Sequence, residues 1–257
     1  MRKVIMATMV SLLALAAIAT AAGTQADTGS VNFNSTKAGT SKKPHAINYK
    51  LLIDTTATGS TLPQVTREVK TKIYGMKVDG KHFPTCSLSK ILANKNDNVC
   101  PKKAQVAGGA IVATLNGSGT PAPCQPFLDV WNSGQGKLTY FFRIGGTHQC
   151  NGLQTGNTPP YAGTYKMQGG YYISDVKVPD QINYPVAMQT GLLYHEHLNF
   201  TSQTRTVKGK KYISQAVTGC KHGKRPWTLT VLTAPMSQGK HGPSQVSTVS
   251  GKPSCSK

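Results

Sequence analysis

Six cysteines, Cys86, Cys100, Cys124, Cys150, Cys220 and Cys255, constrain this chain more than any other feature, because all follow a segment with the marks of an export signal. Arg2 and Lys3 precede an apolar run over residues 4–19, and small residues continue through Ala22 and Ala26. An even number of cysteines in an exported chain reads as three disulfides, and six cysteines allow fifteen pairings. The short loop from Cys86 to Cys100 is the best local pairing and is worth on the order of 3 kcal/mol through restriction of the unfolded chain. Cys124 with Cys150, flanking a hairpin, and Cys220 with Cys255, pinning the tail, then follow by elimination. A cysteine zinc site is disfavoured, since no C-x-x-C pair occurs and thiols do not stay reduced outside the cell.

Residues 1–26 read as a removed leader rather than an anchor. The apolar run is short, contains several Ala and Thr, and ends in small residues suited to cleavage after Ala22 or Ala26. No cysteine lies in or just after it to accept a lipid, and no later window approaches spanning length. The expectation is a secreted, extracellular chain of about 230 residues with no transmembrane segment, long enough for one large all-β domain or two small ones. Residues 27–44 are polar and read as an exposed lead-in with a turn at residues 40–44. Residues 45–234 read as the β domain, and residues 235–257 as a polar tail tethered through Cys255.

Within the domain, short β-branched and aromatic runs alternate with turn signals. Strands are predicted over residues 45–56, 65–78, 104–115, 127–131, 137–144, 171–178, 192–201, 212–218 and 227–233. Ser133-Gly134-Gln135-Gly136 and Lys208-Gly209-Lys210 mark hairpins, and Leu138, Tyr140, Phe142 and Ile144 share a core face by the two-residue period. Residues 86–94 form the one respectable helix candidate. No helix long enough for a parallel crossover separates the strands. The fold class expected is therefore all-β: a mainly antiparallel, disulfide-stapled β-sandwich of immunoglobulin-like or jelly-roll type, with at most one short helix.

The chain carries 29 Lys and Arg against 9 Asp and Glu. Loss of Arg2 and Lys3 with the leader leaves 27 basic residues and a formal charge of +18. Scarcity of acid removes many candidates for general acid, general base and calcium ligand. Such a field draws a protein toward anionic partners. Lys208, Lys210 and Lys211 on one segment and Lys221, Lys224 and Arg225 on a neighbouring one are read as a patch for an anionic polymer, with Trp227 as an apolar contact. Solvated hairpin tips and sheet edges are the plainer reading of the same lysines. Aromatic residues are not interleaved as a stacking platform requires, so no specific nucleic acid is expected.

Tyr194-His195-Glu196-His197-Leu198 is the sharpest local motif. In a strand, His195 and His197 point to one side, the way two imidazoles are presented to zinc or copper. Leu192, Tyr194, Glu196, Leu198 and Phe200 occupy the other face, which reads as core, leaving the histidines toward solvent. A third ligand is not placed by the sequence. Glu196 on an apolar face must be paired, protonated or at an edge, and a rim position beside Lys or Arg is the usual outcome. Tyr161, Tyr165, Tyr171 and Tyr172 would suit a carbohydrate face if coplanar and exposed, and otherwise pack within the sheet. The nucleophile-elbow, phosphate-loop and zinc-protease motifs are absent.

Three stretches, residues 37–44 (KAGTSKKP), residues 80–87 (GKHFPTCS), and Cys100-Pro101-Lys102 followed by Val106 and Gly108, together resemble a family of exported actinobacterial proteins without an assigned function. The resemblance covers about the first half of the mature chain. It implies a secreted β-rich domain with Cys86 bonded to Cys100, and brings no catalytic residue. Cys124, Cys150 and Cys255 do not match its pattern. The function expected is non-enzymatic association with the anionic cell envelope or an extracellular polymer, without a cofactor. The alternative is a metal-binding protein or metal-dependent enzyme that holds zinc or copper at His195 and His197.

Overall fold

The computed structural model describes residues 25–57, 64–116, 122–151, 158–185, 189–237 and 239–256, so the export signal expected over residues 1–26 lies almost wholly outside the described residues. From the N-terminal side run β1 (Gln25–Phe33), β2 (His45–Ala46), β3 (Tyr49–Ala57), β4 (Val65–Tyr74) and β5 (Met76–Val78). Helix α1 (Leu88–Asn94) and a 3-10 turn at Lys102–Ala104 precede β6 (Gln105–Asn116). Then come β7 (Ala122–Cys124), β8 (Phe127–Asn132), β9 (Lys137–Arg143), β10 (Tyr161–Gln168) and β11 (Tyr171–Lys177). The one-turn helix α2 (Asp180–Asn183) leads to β12 (Thr190–Phe200), β13 (Thr204–Val207), β14 (Lys210–Ile213) and β15 (Gln215–Val217). The chain ends with β16 (Trp227–Ala234), β17 (Met236–Ser237), β18 (Lys240–His241) and β19 (Gln245–Gly251).

Twelve strands form one antiparallel sheet in the order β1-β3-β12-β6-β8-β9-β10-β11-β4-β16-β19, with β7 added beside β6. The sheet rolls nearly into a barrel. Its first strand returns to its last two, so that a Cβ on Gly29 of β1 would come within 2.5 Å of the Leu229 side chain on β16. Only glycine permits that approach. The facing layers expected of a sandwich are thus opposite walls of one rolled sheet, packed across Ile53, Ile73, Ile111, Val130, Tyr140 and Leu229. Among the described residues, no helix is long and apolar enough to cross a membrane.

β8 and β9 are buried on both faces. Their inner side chains join the barrel core, while Trp131 and Phe141 pack outward with Ile91, Ala104 and the Cys86–Cys100 disulfide. Ser87 caps α1 through its hydroxyl, which accepts from the Lys90 N–H, and Lys95 ends it in the left-handed region at φ 55°. The other disulfides join Cys124 to Cys150 and Cys220 to Cys255, so all three expected pairings are present. The hairpin at Lys208-Gly209 also forms, both residues having positive φ as the tight β13–β14 turn requires.

Three expectations are corrected. Residues 27–44 are not wholly an exposed lead-in, because β1 pairs along its full length with β3 and buries Asp27 and Val31. The Asp27 carboxylate accepts from the Thr55 hydroxyl at 2.9 Å and the Gln25 amide at 2.8 Å, which lets a polar strand enter the sheet. Residues 235–257 are tethered through the Cys220–Cys255 disulfide as expected, but they are more than a tail, since β19 extends the sheet against β16. Finally, two short α-helices are present rather than at most one. The tyrosines resolve as packing: Tyr161, Tyr165 and Tyr172 are buried, and Tyr171 sets its ring edge-on against Tyr74 at 5.1 Å.

Candidate functional site

β12 carries polar groups on both faces, and a β-bulge divides it. Pairing with β6 shifts between Leu193 and His195, leaving Tyr194 as the extra residue. Gly191 and Leu193 before the bulge line the same interior pocket as Glu196 after it. Without the bulge, strict alternation would turn Leu193 and Glu196 to opposite sides. Leu192, between Gly191 and Leu193, therefore departs from the face the two-residue period assigns it, while Glu196, Leu198 and Phe200 keep theirs.

On the outer face, His195 and His197 are both exposed, as the alternation predicts. The third ligand that the sequence left unplaced comes from β3. Antiparallel register sets Asp54 directly opposite His195 and Leu52 opposite His197. Asp54 Oδ1 lies 2.6 Å from His195 Nδ1 and 3.0 Å from His197 Nε2. All three ligand atoms fall within 4.8 Å of one another. Tetrahedral zinc with bonds near 2.0–2.1 Å needs ligand atoms ~3.3 Å apart, so small side-chain rotations accommodate an ion. Partial burial by itself raises the Asp54 pKa, but hydrogen bonds from His195 and then His197 outweigh it and hold the carboxyl below its ordinary value. That oxygen stays available to a cation at neutral pH. No hydrogen bond among the described residues fixes the remaining nitrogen of either ring, which makes the site a loose one.

On the inner face, Glu196 is half-buried and lines an interior pocket. The surface it retains faces the pocket. Its carboxyl has no hydrogen-bond or ion-pair partner among the described residues, so burial alone pushes its pKa up to about 7. The rim position beside Lys or Arg that the sequence favoured is not found. Around it stand Ile111, Phe142, Tyr161, Ile182 and Leu193, enclosing about 690 Å³ when the open mouth is included.

The basic residues do not act as one set. Lys208, Lys210, Lys211, Lys221 and Lys224 are exposed, but Arg225 and Trp227 are buried, which corrects their assignment to a surface patch. Arg225 donates to the carbonyls of Ser35 and Lys37, both at 3.1 Å, and lies 4.6 Å from the Phe33 ring centroid. Its charge fastens the segment after β1 to the C-terminal segment, where Ser256 accepts from the Ala38 N–H at 2.7 Å. Trp227 stacks into the core where a Cβ on Gly251 would strike its indole at 2.6 Å. Sequence reasoning could not see this, because burial of Arg225 depends on segments nearly 200 residues apart. No known family model matches this chain, and no curated protein or solved structure is similar enough to count as a match.

Proposed function

We propose that this is an exported metal-binding protein that holds a divalent transition ion, zinc or copper, between Asp54, His195 and His197. The observation that carries the reading is the single carboxylate oxygen of Asp54 within hydrogen-bond reach of both imidazoles. Two imidazoles and a carboxylate suit zinc or copper better than magnesium or calcium, which prefer all-oxygen sets. Three protein ligands leave coordination positions open to water or to an external donor. The exposed position of the ligands gives an ion direct entry.

Calorimetric titration of untagged protein with zinc and with copper tests this. One ion per chain is expected, with affinity at least about tenfold weaker in His195→Ala and in Asp54→Asn, since removing one ligand of three forfeits a coordinate bond. Unchanged binding in the His195→Ala, His197→Ala double variant would overturn it. The five exposed lysines support a second reading, association with an anionic envelope polymer by electrostatic capture. Sedimentation with isolated envelope that is strong at low salt and lost at high salt is expected, and sedimentation indifferent to salt would sink it.

A further inference from the structure

The pocket inside the barrel is independent of the outer triad and asks for a different ligand. Its walls are apolar, and its polar groups other than Glu196 include pairs already satisfied: Asn183 donates to the Thr66 carbonyl at 2.9 Å and Thr158 to the Phe142 carbonyl at 3.2 Å. Among the described residues Glu196 is the one acidic or basic side chain that lines it, and it also faces a second chamber deeper in the barrel, beside Tyr140, Tyr161 and Ser174. Among the described residues, no Lys, Arg or His lines either chamber. A chain with so many lysines thus turns inward the one acid that has no partner among the described residues, and no described lysine reaches it.

We propose that this pocket binds a small apolar molecule bearing one protonated amine, the ammonium resting against the Glu196 carboxylate and the hydrocarbon against Ile111, Phe142 and Leu193. Charge complementarity decides the class. A buried carboxylate without a partner is costly, and a ligand cation supplies the missing partner in a low-dielectric site where the attraction is strong. A carboxylate ligand would face Glu196 with like charge. A neutral ligand would gain the apolar contact but leave the acid unpaired. The protein's positive field opposes casual binding of amines, so an amine that binds does so through this site.

Benzylamine, benzyl alcohol and benzoate share one ring and differ in charge, which makes them the probes. Binding to the full chain is read by ligand-observed NMR at pH 7.5, with thermal melts confirming that each variant is folded. Benzylamine is expected to bind about tenfold or more tightly than benzyl alcohol, and Glu196→Gln to erase that preference. Leu193→Trp, which fills the pocket, is expected to abolish binding of both. Equal affinity for amine and alcohol, amine binding that survives Glu196→Gln or Leu193→Trp, or no binding of any probe would overturn the proposal.

Discussion

The two faces of β12 place ionisable groups one residue apart in opposite physical situations. Outside, His195 and His197 meet a carboxylate across a strand pair in contact with water, where an ion pair costs little and contributes little. Inside, Glu196 is largely shielded from water and has no partner among the described residues, so its charged form is expensive. The difference teaches that alternation, rather than residue type, sets the energetic meaning of a polar side chain here. The bulge at Tyr194 sets the alternation.

The largest expected effect therefore comes from deleting Tyr194. Removing the extra residue forces either His195 and His197 into the barrel or Gly191 and Leu193 out of it, and both exchange core for solvent. A loss of more than about 4 kcal/mol is expected, against at most about 2 kcal/mol for Tyr194→Ala, which keeps the residue count. Chemical denaturation of the two variants checks this. Equal stabilities would show that the bulge migrates along β12 and that the assignment of faces is not held by Tyr194.

How much of this contrast was legible in the sequence depends on whether local or distant residues decide it. The His195 and His197 pair, and Glu196 behind it, follow from a two-residue period that β12 itself contains. Asp54 does not, because its place opposite His195 is a register between segments some 140 residues apart, and no local pattern encodes it. β1 was hidden for the same reason: QADTGSVNF offers few apolar residues, and the strand is specified by its partner β3. β19 likewise borrows its place from β16. The disulfides were legible because each closes a loop between successive cysteines. Arg225 and Trp227 were misplaced because a run of basic residues carries no information about which member the chain termini cover.

A middle-sized effect sharpens the comparison through pH. The Glu196 pKa is raised from 4.5 to about 7 by burial, so the folded state holds its proton more tightly than the unfolded state does. For a raised pKa the stabilisation is complete below the unfolded value and is lost as pH rises to the folded value. Stability should fall by on the order of 3 kcal/mol between pH 4.5 and about 7 from this group alone. Asp129 is raised to about 7 as well, by burial that outweighs the opposing charge of Arg143, and adds a slope of the same sign. The difference between wild type and Glu196→Gln isolates the Glu196 share, and parallel stability curves for the two proteins would show that the carboxyl is not desolvated.

The smallest effect has the opposite sign and belongs to the outer face. Because hydrogen bonds from the two histidines outweigh partial burial, the Asp54 pKa is depressed from 3.8, and its stabilisation is present above that value and lost as pH falls below it. Asp54 is 39% exposed, so water and salt screen the interaction and the expected contribution is under about 1 kcal/mol. Asp54→Asn should flatten the acid limb below pH 4, measured by urea denaturation in metal-free buffer. The two carboxylates would then oppose each other across a single layer of sheet, one weakening the fold as it ionises and the other strengthening it. An unchanged acid limb in Asp54→Asn would instead mean that the two imidazoles do not favour the charged carboxyl, and that the outer triad is held by strand register alone.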